Sequence, residues 1–363
     1  MRVKLKDITK FSKGTQINGK NLIDDGAYSY LNGGINPSGK WNEFNVAENT
    51  VTISEGGNSS GYVNYMNEAF WCGAHCYYLY DGPKNSKYLY YALKSQQERL
   101  FRIRSGACMP NIKKSDLGNF IIEYEKDEVR QEEVVKVLEK CELLIEDYNK
   151  KLTLLDEAVR ARFVEMFGDP VINSCQFPVQ PMTDICDIID GDRGKNYPKS
   201  EEILDDGYCL FLNAKNVTQK GFDFENCNFI TREKDDALRN GKLSRGDVVL
   251  TTRGTVGNLA YYSKNVPYEN IRINSGMVIL RMNRSILNEI YFIELFKMKL
   301  SDIKEKIASG SAQPQLPIST MNKIILMIPP LELQNQFASF VKEIDKSRLL
   351  SNHSLLLLKS IIF

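Results

Sequence analysis

The side chains best able to do recognition chemistry lie in short loops rich in Gly, Asn, Ser and Thr. Residues 191–196 read GDRGKN, 213–216 read NAKN and 253–258 read RGTVGN, which offers Arg193, Lys195, Asn196, Asn213, Lys215, Asn216, Arg253, Thr255 and Asn258. An earlier stretch carries a similar mix. Lys13, Gln16 and Lys20 fall in KGTQINGK, Asn32, Asn36 and Lys40 in NGGINPSGK, and Asn58 and Ser59 in EGGNSS. Held on a rigid sheet, such groups present donors and acceptors to base edges and cations to phosphates. The same residue types also make ordinary solvated turns, in which Asn and Gly serve the backbone alone. Beside the shared glycine, Glu55 in the first set aligns with Arg253 in the second. Glu accepts from cytosine N4 and Arg grips guanine, so that exchange would alter which base is preferred. Glu55 could equally do no more than hold its loop.

Constellations for bond-making chemistry are missing. No G-x-x-x-x-G-K-[ST] phosphate loop occurs, which excludes a nucleotide-driven motor of that type. The Pro-Pro of MIPPLE lacks the Asn or Asp before it and the aromatic after it expected of an amino-methyltransferase. Asp205 and Asp206 sit beside Gly207 with no lysine at nuclease spacing, and the two histidines, His75 and His353, are far apart. Cys72, His75 and Cys76 lack a fourth ligand at zinc-site spacing. The eight cysteines read as reduced packing thiols. Trp41 and Trp71 read as packing residues.

The elements that must position these loops come in two copies. SGACMPNI at 105–112 returns as SGSAQPQL at 309–316, and the residues after each copy also match, so Ser105, Gly106, Pro110, Ser115 and Ile121 fall on Ser309, Gly310, Pro314, Ser319 and Ile325. A lone Ser-Gly-x-x-x-Pro is an ordinary turn, but paired flanks mark an internal repeat. TVTIS (50–54) and CYYLY (76–80) read as strands in the first copy; DVVLTT (247–252) and GMVILRM (276–282) do so in the second.

After the first copy, residues 130–167 contain neither Gly nor Pro, and GDP at 168–170 is a stop signal. Leu138, Cys141, Ile145, Tyr148, Leu152, Leu155 and Val159, followed by Arg162 and Met166, alternate in steps of three and four, the spacing of a heptad seam. Such a helix is roughly 55 Å long at about 1.5 Å per residue. Its partner is expected in the C-terminal segment, where Phe337, Val341, Ile344, Leu355, Leu358 and Ile362 form a second stripe after Pro329 and Pro330. One chain with two such stripes can satisfy both by an antiparallel pair, although dimerisation through either stripe would serve as well.

In this order, globular unit, long helix, globular unit, long helix, the chain resembles the DNA-specificity subunit of type I restriction-modification systems. The likeness rests on LTLLDEAVRARFVEMFGDP, IPPLELQ, the paired SGxxxP loops, TTRGTVGNLAYY and ISEGGNSSGYV. The fold it implies is α/β (α+β): two globular target-recognition domains joined by two long antiparallel coiled-coil helices, with a pseudo-twofold internal repeat. The corresponding boundaries are 1–127, 128–168, 169–328 and 329–363. The resemblance further implies a non-catalytic subunit that reads a bipartite site in double-stranded DNA. Methyltransferase (modification) and restriction (helicase-nuclease) subunits would be its partners. No cofactor is expected in this chain, and S-adenosylmethionine and ATP are expected on the partners. A restriction-modification enzyme with built-in catalysis, and a two-repeat scaffold binding protein or carbohydrate, are the other readings. Two departures stand out: nothing after Phe363 corresponds to FVEMFGD, and the second unit is longer than the first.

With 363 residues and a formal net charge of +1, the composition is that of a globular protein with room for two or three domains. Residues 1–127 carry 16 basic and 13 acidic side chains, and 128–169 carry 7 and 11, so the helix is acidic and the flanking unit is basic. No run of about 20 apolar residues and no signal-peptide centre is present, which reads as a cytoplasmic chain without a membrane partner.

Overall fold

The computed structural model describes residues 1–106, 108–308 and 315–362. Of the second SGxxxP loop, residues 309–314 lie outside that set. The chain divides into two compact units, Met1–Leu152 with Leu350–Phe363, and Thr153–Leu349. Both long helices are cut near their middles by this division.

In the first unit a four-stranded antiparallel sheet runs in the order Lys10–Lys13, Cys76–Tyr80, Thr50–Ser54, Val63–Met66. A three-stranded sheet places Tyr28–Leu31 between Gly39–Trp41 and, in parallel, Phe70–Cys72. Arg2–Lys4 pairs with Ile121–Glu123. The second unit has the same three sheets in the same order. Its four strands are Cys186–Asp190, Met277–Met282, Val248–Thr251 and Leu259–Tyr261. Cys209–Leu212 lies between Phe229–Ile230 and the parallel Ile271–Ile273, and Val179–Pro181 pairs with Ile325–Met327. The additional length of this unit includes a small hairpin, Val217–Thr218 with Gly221–Phe222.

Strand periodicity explains why the four-stranded sheet is apolar on both faces. Successive side chains point to opposite faces. Val248 and Leu250 therefore enter one core together with Val278 and Leu280, while Val249 enters another with Met277 and Ile279. In the first unit Val51, Ile53, Tyr77 and Leu79 fill one core, and Cys76 lies on the other side with Phe70 and Cys72.

The central helix spans Glu128–Phe167 and the C-terminal helix Leu331–Ile362. Asp127 caps the first, its Oδ1 accepting the Val129 N–H at 2.9 Å. Gly168 ends it at φ +71°, where a Cβ would lie 2.1 Å from Ser174 Oγ. Only glycine suits that left-handed, crowded position. The two helices pack together, and the contacts in each unit give the antiparallel sense. In the first unit Val135, Cys141, Leu138 and Ile145 meet Leu358 and Ile362. In the second, Val159, Phe163 and Phe167 meet Phe337 and Val341, with Ile344 packed alongside. Tyr148, Leu152 and Leu155 are half-buried, and Leu355 is buried. Between Ile344 and Leu355 the stripe is polar: Arg348 pairs with Asp156 at 2.7 Å, and Ser351 is buried.

Each helix begins with the same buried glutamine. Gln131 Nε2 donates to Glu125 O at 2.6 Å, and Gln334 Nε2 donates to Pro329 O at 2.8 Å and Ile286 O at 3.0 Å. Among the described residues no helix is long and apolar enough to cross a membrane.

Candidate nucleic-acid interface

In the first unit the chain leaves strand Thr50–Ser54 into a loop that Gly57 (φ +78°) and Gly61 (φ +84°) turn back on itself. Gly61 N–H donates to Ser54 O at 2.7 Å, and Ser54 N–H to Tyr62 O at 2.9 Å. The SGxxxP loop braces this turn from outside. Gly57 N–H donates to Pro110 O at 2.9 Å, Ile112 N–H to Glu55 O at 2.9 Å, and Arg104 Nη1 to Asn58 O at 3.4 Å. Ser105 and Asn111 close their own loop with two backbone bonds of 2.8 Å. In the first unit this string is thus a support for the polar loop.

The second unit repeats the frame. Gly254 and Gly257 take φ of +73° and +88°, Gly257 N–H donates to Thr251 O at 2.9 Å, and Leu316 N–H donates to Thr252 O at 3.0 Å. Arg253 forms a backbone bridge with Gln315, as Gly56 does with Asn111. These bonds correct the alignment drawn from sequence: Thr252 stands where Glu55 stands, and the counterpart of Arg253 is Gly56. The first loop is one residue longer between its glycines, which conceals the register in a gapless comparison.

Around the first loop, Lys13 Nζ lies 2.7 Å from Glu55 Oε1, and His75 Nδ1 lies 3.4 Å from Glu55 Oε2. Burial first, then the Glu55 charge, push the Tyr77 hydroxyl up to about 12; Tyr77 Oη donates to Ile112 O at 3.1 Å. Asn32 Oδ1 accepts from the His75 N–H at 3.2 Å, and Ser59 Oγ donates to Gly33 O at 2.5 Å. Asn32, Ser59 and Lys13 are therefore gathered at one edge, where they tie neighbouring loops together. Asn36 and Asn58 are exposed there. Gln16, Lys20 and Lys40 are exposed as well.

In the second unit Arg253 and Thr255 are exposed, and no side-chain partner for Arg253 occurs among the described residues. The loop is stiffened from beneath by Thr251 Oγ1, which donates to Thr255 O at 2.5 Å. Thr252 N–H donates to Gly276 O at 2.9 Å, next to Ser275, whose carbonyl accepts from Arg193 Nη2 at 3.2 Å. Arg193 also pairs with Asp190 at 3.1 Å. Asn258 Nδ2 reaches Val217 O at 2.9 Å, so three of the sequence-selected loops meet. Lys195 and Lys215 are exposed.

Asn216 departs from the expectation that it faces a base. It is 1% exposed, its Nδ2 donates to Asp223 O and Asn226 O, and its Oδ1 accepts from Asn213 N–H. Its amide is used within the loop and offers nothing outward. Asn196 likewise donates to Ala237 O at 2.9 Å, and Asn213 Oδ1 accepts from Lys215 N–H at 2.9 Å.

Two supports escaped sequence reasoning. Asp192 is buried and takes N–H bonds from Gly194 and Arg239, each at 2.7 Å, which hold its carboxyl below the usual range. The Asp-x-Gly spacing of an Asx turn was the available signal. Gln97 Nε2 donates to Gly61 O at 2.7 Å and its Oε1 accepts from Val63 N–H, which fixes the loop exit; nothing in QQERL signals that. The eight cysteines are free, and no cluster able to hold a metal ion occurs among the described residues.

Two sheet-borne loop clusters, one braced by Pro110, Asn111 and Ile112 and the other by Gln315 and Leu316, define a two-module recognition protein. The family profile of the type I restriction modification DNA specificity domain matches residues 1–155 and 177–359. A putative type I specificity subunit of Mycoplasma genitalium is 28% identical over 353 residues, spanning 92% of this chain and 84% of that one. One from Mycoplasma pneumoniae is 26% identical over 357 residues, spanning 94% and 88%. The crystal structure of a type I restriction-modification S subunit from M. genitalium superimposes with a TM-score of 0.61 at 22% identity, covering 100% of this chain and 93% of that one. The chain belongs to the type I restriction-modification DNA specificity family. It is the non-catalytic, DNA-recognising subunit of such a system.

Proposed function

We propose that each unit reads one half of a bipartite site in double-stranded DNA through its own glycine loop. The observation that carries this reading is the frame built twice with different outward groups. The hydrogen bonds around Gly57 and Gly254 match, yet Arg253 faces solvent where the first unit has Gly56. A repeated geometry of support with a variable surface is what independent readout of two sequences requires. Arg253, Thr255, Arg193, Lys195 and Lys215 are the contact candidates of the second unit, and Asn36, Asn58 and Lys13 those of the first. Asn32, Ser59, Asn196, Asn213, Asn216 and Asn258 hold the loops that carry them. Gln16, Lys20 and Lys40 would serve phosphates.

The paired helices, acidic over 128–169, would dock methyltransferase subunits, and a helicase-nuclease subunit would join that assembly. S-adenosylmethionine and ATP would act on those partners, in the cytoplasm. Replacing residues 1–127 by the corresponding segment of another family member is expected to change one half of the methylated site and leave the other intact. Sequencing of the modified genome reads the result directly, and simultaneous change of both halves would end the two-module reading.

A further inference from the structure

The first unit holds positive charge that its glycine loop does not use. Lys13 is paired with Glu55, but two shallow grooves that meet at Ile121 carry five further basic side chains. One is lined by Arg99, Arg102 and Asp116. The other is bordered by Arg2, Lys4 and Lys126, with Asp7. All five basic side chains are exposed, and none forms an ion pair among the described residues. The guanidinium of Arg99 lies 5.1 Å over the Phe120 ring and donates to Gln96 Oε1 at 2.6 Å, which holds it on the groove wall with N–H groups left over. A planar fork held in this way suits a phosphate.

Two further observations give the grooves a direction and an asymmetry. Helix Gln97–Arg102 leads within two residues to Arg104, whose Nη1 donates to Asn58 O in the recognition loop. The basic surface is therefore continuous along the chain with the loop that faces the half-site. The second unit lacks the Arg2–Lys4 border: in the matching strand pair, Val179 and Pro181 occupy the places of Arg2 and Lys4.

We propose that these grooves carry the sugar-phosphate backbone of the duplex beyond the half-site read by the first unit, a sequence-independent contact. The proposal rests on the first unit reading DNA. Phosphates meeting three more cations than carboxylates release counterions, and each such contact contributes roughly 0.9 to the log–log slope of affinity against salt.

The test uses the complex assembled with its methyltransferase subunits and a triple variant, Lys4→Gln, Arg99→Gln and Arg102→Gln. Duplexes carry the site with a flank of a few base pairs or of about one extra helical turn, roughly 10 base pairs, on either side. For the wild type, lengthening the flank on the side of the first unit should tighten binding. The variant should lose that gain, and its salt slope should fall by about 2 to 3, with the methylated sequence unchanged. If the triple variant fails to assemble, Arg102→Gln alone should lower the slope by about 0.9. An unchanged slope together with an unchanged flank gain would overturn the proposal. So would loss of the methyltransferase subunits with the flank gain intact, because the grooves would then face an acidic protein surface. A wild-type complex that gained nothing from the longer flank would overturn this proposal and leave the half-site reading standing, whereas equal binding to a duplex with the first half-site scrambled would overturn the half-site reading itself.

Discussion

Phe163→Ala should cost about 3 to 5 kcal/mol of stability, the range for removing a fully buried aromatic ring. Phe163 is completely buried, and its ring lies 4.9 Å from Phe167, 5.4 Å from Phe337 and 5.7 Å from Tyr291. It joins the central helix to the C-terminal helix and to the sheet-covering helix Glu289–Ala308 within one core. Neighbours on three elements cannot all collapse into the space it leaves. Urea denaturation gives the loss directly, and the double substitution with Phe337→Ala should fall short of the sum of the single changes. A loss below about 1 kcal/mol would remove Phe163 from the core assigned to it. Leu152, further up the same seam, is only half-buried, and a charge there would reach water.

Asp235→Ala should be destabilising on a similar scale, about 3 to 5 kcal/mol, because it leaves a buried charge without its partner. The Asp235 side chain is fully buried and pairs with Lys242 and with Arg272, itself only 6% exposed. Arg272 also donates to Asp235 O at 2.7 Å, Leu238 O at 3.1 Å and Asn240 O at 2.8 Å, so the pair anchors helix Arg232–Ala237 to strand Ile271–Ile273. Burial alone would raise the Asp235 carboxyl, but hydrogen bonds from Lys242 and Arg272 and their charges hold it below the usual aspartate value. A carboxyl depressed in the folded state contributes stability above its unfolded value of about 3.9. That contribution should vanish as the pH falls below about 3.9 through the folded value, and the alanine variant should lack this part of the acid dependence. An acid profile identical to that of the parent would contradict the assignment.

Periodicity made the long helices legible. The run from Leu138 to Val159 and the stop at Gly168 are local signals, and the repeat at Ser105 and Ser309 announced two copies. What the pattern concealed depended on contacts distant in sequence. The one-residue difference between the Gly57 and Gly254 loops shifted the pairing of Glu55, and only the bonds from Ile112 and Leu316 reveal it. Asn216 has the composition of a reader, but its place beneath a turn consumes both ends of its amide. Arg348 and Ser351 break the second stripe where a heptad template expects apolar residues, and Arg348 there pairs with Asp156. Residue type identified the loops; which side chains face outward was set by tertiary hydrogen bonds.

Photocrosslinking tests the central claim most directly. The complex assembled on a duplex with 5-iodouracil placed successively through both half-sites, irradiated and mapped by mass spectrometry, reports which side chains touch which bases. The first half-site should crosslink within residues 32–38, 55–62 and 104–111, and the second within 191–196 and 252–258. Crosslinks confined to the long helices, or both half-sites marking the same unit, would contradict the account.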